Sequence, residues 1–292
     1  MVPITNPIGV IVDSFRVGVS EGLRKAKEVG ADGVQIYAVS GEMDPAVITK
    51  ARIRELRDEL DSHGLRISAL VGDLGGHGFQ DARENPWKIE KSKRILDLAV
   101  ELGTNIVTTH IGIVQEDPSS AVYAAMQSAC EELSTYASSL NAYFAIETGP
   151  ETSARLKSFL DTLSTNGVSV NYDPANLVMV TGDDPVQGVY TLRDYIVHTH
   201  AKDGIRLQEV DPRYIYGALG FEPMDHEKLA MQVESGVYFR EVPLGEGSVD
   251  WNAYLAALAD IGFGGYLTIE REVGADPARD IAKAVEFLKR YR

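Results

Sequence analysis

The sequence predicts a single (β/α)8 barrel spanning residues 1–292, and three observations support this fold. Short apolar, β-branched runs alternate with longer amphipathic segments, and eight such strand–helix units follow one another without an evident linker. Most of the strand candidates are apolar throughout rather than alternating, which is typical of parallel strands covered by helices. The length of 292 residues also suits a barrel, which commonly uses about 250 residues as one domain.

The strand candidates follow one another along the whole chain. They are Ile8–Val12, Gly33–Tyr37, Ile67–Val71, Asn105–Thr109, Tyr143–Glu147, Ser169–Tyr172, Ile196–His200 and Tyr266–Glu270. Several of the helical patterns between them end at a glycine, the usual left-handed helix terminator: Gly30, Gly64, Gly103 and Gly262. A doubly wound open sheet is the alternative fold. The strand count and the absence of a GxGxxG turn after the first strand argue against it.

Composition and charge argue against a nucleic-acid-binding protein and against a membrane protein. The formal net charge is −15, and a nucleic-acid-binding protein usually carries a basic surface, so we expect no nucleic acid partner. The amino terminus lacks a basic region followed by a long apolar run, and no stretch of about 18 apolar residues occurs. We therefore expect a cytoplasmic protein without a membrane partner. The single cysteine excludes an internal disulfide.

Four polar residues stand at the ends of four strand candidates. Glu147, Asp173 and His200 are spaced 26 and 27 residues apart, one strand–helix unit each, and Glu270 follows 70 residues later. A carboxylate at the end of an apolar strand is costly to desolvate without a partner. Asp173 alone fits the role of a helix N-cap, since Pro174 follows it. Four such residues at one level are harder to explain as caps, because the strand ends of a barrel converge on one mouth.

Two glutamates, one aspartate and one histidine make an oxygen-rich set with a single imidazole. This set suits one divalent ion, Mn²⁺ or Mg²⁺ first, with Co²⁺ and Zn²⁺ as alternatives. The sequence therefore predicts a metal site at the mouth of the barrel, formed by Glu147, Asp173, His200 and Glu270.

Several runs around these positions resemble a known family. They are ETGPET (147–152), NYDPANL (171–177), HTHAKDG (198–204), VPLGEGSVDW (242–251) and LTIERE (267–272). Together they resemble the xylose isomerase-like superfamily of sugar isomerases and epimerases, which includes the AP endonuclease 2-like barrels. The resemblance covers the C-terminal half closely, and the N-terminal half only in its strand–helix rhythm and in THIG (109–112). It implies metal ligation by the same four residues.

The resemblance also implies an activity, namely that of a metal-dependent sugar isomerase or epimerase. Such an enzyme moves a proton on a carbon next to a carbonyl, and the metal stabilises the enediolate that results. The resemblance gives the acid/base roles to Glu147 and Glu270, and the substrate is expected to be a sugar or a polyol. A dehydratase of a keto-sugar or inosose that uses the same site is the main alternative. An AP endonuclease and a non-catalytic sugar-binding subunit are further alternatives.

Four more residues are candidates for binding the substrate. Lys202 lies two residues beyond His200, on the same face of the strand, although a surface lysine is the alternative. His110 ends the fourth strand, and His77 sits on a glycine-rich loop after the third. Asn176 follows Asp173 by three residues, and its amide suits a sugar hydroxyl better than a metal.

The choice of the metal-binding histidine depends on strand register. His198 would replace His200 as the ligand if the seventh strand ran one residue differently, but the HxKD pattern favours His200.

A long insertion, residues 204–244, separates the seventh strand from the last helical unit. It is rich in aromatic residues and follows a barrel strand, so we expect it on the catalytic face as a lid or an oligomer contact. A homodimer or a homotetramer is compatible with this aromatic segment.

Overall fold

Eight parallel strands form a closed barrel in a computed structural model that describes residues 3–221 and 235–292. The strands of the barrel are β1 (Ile8–Ile11), β2 (Gly33–Tyr37), β3 (Arg66–Val71), β4 (Ile106–Thr109), β5 (Tyr143–Glu147), β6 (Val168–Tyr172), β7 (Ile196–Ala201) and β10 (Leu267–Ile269). Each pairs with its neighbours along the chain, and β10 closes the barrel between β7 and β1. The predicted (β/α)8 barrel is thus confirmed.

A helix follows each barrel strand in the described residues. The eight helices are Val19–Val29, Lys50–His63, Asn85–Leu102, Ala121–Ser139, Ser153–Leu160, Pro185–Leu192, Trp251–Asp260 and Pro277–Lys289. Their apolar faces supply the core between helices and strands, with fully buried side chains such as Leu23, Leu56 and Ile95. None of the helices in residues 3–221 and 235–292 has the length and hydropathy needed to cross a membrane.

The predicted strand bounds agree with the structure to within one or two residues. β1 ends at Ile11 rather than Val12, because Val12 begins a 3-10 turn that runs to Phe15. The glycine terminators also have the expected conformation. Gly30 and Gly103 cap their helices with φ of 79° and 87°, a region that is strained for residues with a side chain.

Shorter elements occupy the loops at the carboxyl ends of the strands. A 3-10 turn covers Gly41–Met43, one helical turn covers Pro174–Asn176, and a π-helical segment continues it over Leu177–Thr181. The turn after β6 begins directly at Asp173 and therefore places that residue at the mouth of the barrel.

An antiparallel hairpin forms the base of the segment between β7 and the helix Trp251–Asp260. Its strands are β8 (Asp203–Arg206) and β9 (Phe239–Val242), and a short helix covers Pro212–Tyr216. Arg271, just after β10, donates hydrogen bonds to Glu241 of β9 (2.7 Å) and to Asp280 (2.9 Å). This ion-pair network joins the hairpin to the end of β10. Residues 222–234 of the predicted insertion lie outside the described residues.

One buried carboxylate connects the two ends of this segment. The side chain of Asp203 is 1% exposed and follows directly after β7 and Lys202. It accepts hydrogen bonds from the backbone N–H groups of Gly204, Gly245, Gly247 and Val249 and from Nε1 of Trp251. Several donors to one carboxylate compensate the cost of burying its charge. Asp203 therefore fixes where the chain leaves the barrel and where it returns.

Candidate metal centre and active site

The four predicted ligands converge at the mouth of the barrel. Glu147 is the last residue of β5, Asp173 follows β6, His200 lies near the end of β7, and Glu270 follows β10. All four are buried, and one candidate ligand atom from each lies within 4.8 Å of the others. The neighbouring order of β5, β6, β7 and β10 in the barrel explains this convergence.

The centre of the cluster is Nδ1 of His200. It lies 3.4 Å from Oε2 of Glu147, 3.7 Å from Oδ2 of Asp173 and 3.3 Å from Oε2 of Glu270. Nδ1 of His200 and Oδ2 of Asp173 are buried without a hydrogen-bond partner among the described residues. Buried polar atoms rarely stay unpaired, and a divalent cation would satisfy both. The donor set of three carboxylates and one imidazole fits such an ion.

Asp173 combines the two roles that the sequence left open. Its Oδ1 accepts hydrogen bonds from the N–H groups of Ala175 (2.8 Å) and Asn176 (3.0 Å) and so caps the helical turn. Its Oδ2 faces the cluster. The cap holds the carboxylate in one orientation, so the two roles support each other.

Side chains inside the barrel orient the other ligands. Gln35 on β2 presents Oε1 to Nε2 of His200 at 3.2 Å, which leaves Nδ1 free for the cluster when Nε2 carries the proton. Asn171 on β6 donates to Oε2 of Glu147 at 3.2 Å, and Asn176 donates to its Oε1 at 2.8 Å. Gln35 and Asn171 were not among the predicted site residues. Their signal is a polar side chain within an apolar strand, which is costly to bury without a partner.

The structure brings His200, and not His198, into the cluster. His198 lies deeper in the barrel, with Nδ1 2.8 Å from Oδ1 of Asn171 and Nε2 3.0 Å from Oγ1 of Thr268. Both ring nitrogens of His198 are therefore occupied by hydrogen bonds. Burial, together with the nearby His200 ring, lowers the pKa of His198 well below its usual value and keeps it neutral.

Lys202 is buried beside the cluster rather than on the surface. Its Nζ donates to Oε2 of Glu270 at 2.9 Å and to Oε2 of Glu272, and it lies 3.9 Å from Oδ2 of Asp173. Burial alone would lower the pKa of Lys202, but the charges of Glu270 and Glu272 raise it well above its usual value. Burial likewise would raise the pKa of Glu270, yet Lys202 and His200 hold it below its usual range. Glu270 is therefore ionised, as a metal ligand must be.

A cavity of about 530 Å³ opens above the cluster. Among the residues that line it are the predicted substrate-binding residues Lys202, His110 and Asn176. Tyr216 and Phe239, which come from the predicted insertion, also line it. The described parts of the insertion thus contribute to this cavity, and its role as a lid or an oligomer contact stays a prediction.

His77 does not line this cavity. Its ring lies beside Gly217, where an added Cβ would be 3.4 Å from Nδ1 of His77. The glycine-rich loop carries the ring toward the segment after β8 rather than toward the metal cluster. The contact of His77 with substrate stays a prediction.

His110 lines the cavity beside Glu147. Its Nδ1 is 3.0 Å from Oδ2 of Asp73, and its Nε2 is 3.9 Å from Oε1 of Glu147. Burial would lower the pKa of His110, but the negative charges of Glu147 and Asp73 raise it to about 9. The sequence analysis did not single out Asp73, which lies two residues beyond β3.

The fold and this cluster, which could hold a divalent ion, are found together in a recognised class of barrel. The family model of the xylose isomerase-like TIM barrel matches residues 23–291, so the chain belongs to this family. It is similar to an inosose dehydratase of Lacticaseibacillus casei, at 28% identity over 144 residues, 48% of this chain and 44% of that protein. The chain is thus matched to less than half the length of this curated relative.

Two solved structures share the whole fold. A xylose isomerase domain protein from Planctomyces limnophilus superimposes with a TM-score of 0.77 at 26% identity, covering 99% of this chain and 97% of that one. A D-tagatose 3-epimerase-like protein superimposes with a TM-score of 0.72 at 19% identity, covering 98% and 96%. Both dehydratases and epimerases therefore occur among the proteins that this chain resembles.

Proposed function

We propose that this protein is a divalent-metal-dependent enzyme that isomerises or epimerises an unphosphorylated keto-sugar or related cyclic polyol ketone. The observation that carries the proposal is the cluster of Glu147, Asp173, His200 and Glu270, of which Glu147, His200 and Glu270 line the cavity. A divalent ion held by these four residues would act as a Lewis acid toward a carbonyl oxygen and the adjacent hydroxyl.

The positions of the two glutamates support a role in proton transfer. Glu147 and Glu270 end strands on either side of β6 and β7, so they flank Asp173 and His200. One carboxylate removes the proton from the carbon next to the carbonyl, and an enediolate remains. The other carboxylate then delivers a proton to the opposite face or to the neighbouring carbon. Asn176 and Lys202 hold these two glutamates in place.

The charge around the cavity supports an uncharged substrate. Glu147, Glu270, Glu272, Asp73 and Glu241 line it, against the cationic groups of Lys202, Arg240 and His110. A phosphate group would add two negative charges beside this acidic set and would be repelled. Hydroxyl groups, in contrast, can donate to the carboxylates and accept from the lysine.

A dehydratase is the second candidate, and the similarity to the inosose dehydratase favours it. In that reaction the same base removes the proton next to the carbonyl. The hydroxyl on the following carbon then leaves with a proton as water. The isomerase or epimerase reaction and the dehydratase reaction share the first proton transfer and differ only in the step that follows it.

Incubation of the Mn²⁺-loaded protein in D₂O with inosose, D-tagatose and D-fructose separates the candidates. Isomerisation or epimerisation gives a product of unchanged composition with one carbon-bound deuterium, detected by ¹H NMR and mass spectrometry. Dehydration gives a product that is lighter by one water. The protein treated with EDTA is the control. If the metal-loaded protein neither exchanges nor converts any of these ketones, the proposed function is wrong.

A further inference from the structure

A pair of side chains outside the metal cluster faces the same cavity. Asp73 follows β3 and His110 follows β4, and Oδ2 of Asp73 lies 3.0 Å from Nδ1 of His110. The backbone N–H of Gly75 donates to the other oxygen of Asp73 at 2.8 Å, which fixes the carboxylate. The imidazole of His110 is therefore held by Asp73, whose own orientation is fixed by the N–H of Gly75.

The second nitrogen of His110, Nε2, has no hydrogen-bond partner in residues 3–221 and 235–292. This nitrogen is buried. It lies 3.9 Å from Oε1 of Glu147, a distance too long for a direct hydrogen bond. An unpaired ring nitrogen at the wall of a cavity is poised for a ligand atom, since leaving it unpaired is costly.

The chain after β8 supports the other side of this ring. Tyr216 packs against His110 with ring centroids 5.6 Å apart and an angle of 38° between the planes. Both residues line the cavity. Asp73 fixes the imidazole at Nδ1, and Tyr216 packs along its face. The orientation of Nε2 is therefore also fixed.

We propose that Asp73 is a positioning residue that holds Nε2 of His110 against a hydroxyl group of the substrate, next to the carbon served by Glu147. The acceptor Asp73 keeps a proton on Nδ1. A hydroxyl can both donate and accept, so it pairs with Nε2 in either protonation state, whereas a carbonyl or a methylene cannot. The substrate class is therefore a ketone with a hydroxyl beside the reacting carbon. This inference rests on the proposed function for its substrate.

The first test measures the ring directly. Protein labelled with ¹⁵N-histidine and loaded with Mg²⁺ is examined by long-range ¹H–¹⁵N correlation, with His110 assigned by the loss of its signals in His110→Gln. At a pH above the pKa of His110, where the ring carries a single proton, we expect that proton on Nδ1 in the wild type and a shift toward Nε2 in Asp73→Ala. We also expect added myo-inositol to move the Nε2 resonance of the wild type. Asp44→Asn, which removes an ion pair with Lys91 away from the cavity, is the matched control.

The second test measures function on the ketone that the protein turns over. His110→Gln and Asp73→Ala each lower kcat/KM by about 10–100-fold, as expected for one lost hydrogen bond to a polar or charged group. The double variant is no worse than either single variant, because both remove the same contact. Affinity for Mg²⁺ changes little. Asp73→Asn, which can still accept from Nδ1, recovers part of the loss and shows that the fold is intact.

The outcomes separate this inference from the proposed function. An unchanged His110 tautomer in Asp73→Ala, or additive losses in the double variant, overturns the inference even if the sugar is converted. A tautomer change with a myo-inositol response supports it. The same response without turnover of any ketone contradicts the proposed function alone.

Discussion

Oδ2 of Asp173 and Nδ1 of His200 face each other at 3.7 Å, and neither has a hydrogen-bond partner within residues 3–221 and 235–292. The other polar atom of each side chain has a hydrogen-bond partner. Oδ1 of Asp173 caps a helical turn, and Nε2 of His200 faces Gln35. Because these two atoms are buried, oriented and unpaired within the described residues, the site is preorganised for a cation.

Replacement of His200 by alanine removes one of the four ligands. We expect Mn²⁺ affinity, measured by isothermal titration calorimetry, to fall by more than about 100-fold, the upper range for changes outside the ligand shell. His198→Gln is the matched control and should weaken binding far less, because His198 contacts Asn171 rather than the cluster. Equal losses in the two variants would contradict the assignment of His200.

Replacement of Glu147 or Glu270 by glutamine tests the acid/base pair. The amide oxygen can still reach the ion, but it cannot take a proton at neutral pH. We expect turnover to fall by roughly 10²–10⁴-fold while the purified variants still contain metal. Glu246→Gln, at an exposed position of the chain after β9, serves as the control. Full turnover by either metal-loaded variant would exclude that glutamate from proton transfer.

Replacement of Asn176 by alanine removes the hydrogen bond to Oε1 of Glu147. Because this bond orients a ligand, we expect Mn²⁺ affinity to decrease by about 10–100-fold. Asn105→Ala, just before β4, removes a comparable amide hydrogen bond, to the carbonyl of Asn141, and should leave affinity unchanged. Affinities that match between the two variants would show that Asn176 does not orient Glu147.

Replacement of Asp203 by asparagine tests the carboxylate that joins the ends of the β8–β9 segment. An amide cannot accept from all the N–H groups around it, and buried donors left unpaired are costly. We expect the free energy of unfolding, measured with urea, to fall by about 2–4 kcal/mol. Asp194→Asn, on the exposed surface, is the control. A change within about 0.5 kcal/mol, as for ordinary surface substitutions, would contradict this role.

The buried carboxyl of Glu151 makes stability depend on pH. Burial raises its pKa to about 7 from an ordinary 4.5, although the N–H of Val114 opposes the shift. Between these values the folded state holds a proton that the unfolded state has lost. The free energy of unfolding therefore falls as pH rises from 4.5 to 7, by up to about 3 kcal/mol.

Glu151→Gln should flatten this dependence and should be more stable than the wild type at pH 8. Urea unfolding at several pH values in EDTA measures the effect without a contribution from metal binding. Glu116→Gln, at an exposed neighbour, is the control. An identical pH slope for wild type and Glu151→Gln would contradict the predicted protonation.

The sequence was sufficient for the barrel and for the convergence of the four candidate ligands because both follow from local patterns. Apolar runs define the strands, and polar residues at their ends must meet at one mouth, as Glu147 and Glu270 do. Gln35 was missed because its partner His200 is 165 residues away, on a strand that meets it only across the barrel. The position of His77 beside Gly217 could not be predicted, because the direction of a glycine-rich loop depends on what packs against it.

The attachment of the β8–β9 segment to Asp203 has a consequence for evolution and design. Asp203 and the Arg271–Glu241 ion pair together hold the places where the segment leaves the barrel and returns to it. We expect that the chain between β8 and β9 can be exchanged for one of different length without moving the barrel strands. Tyr216 lies between β8 and β9 and Phe239 begins β9, whereas the candidate ligands belong to the barrel or directly follow its strands. Under the proposed function, we expect a graft of this segment to change the substrate range while the candidate metal site stays the same.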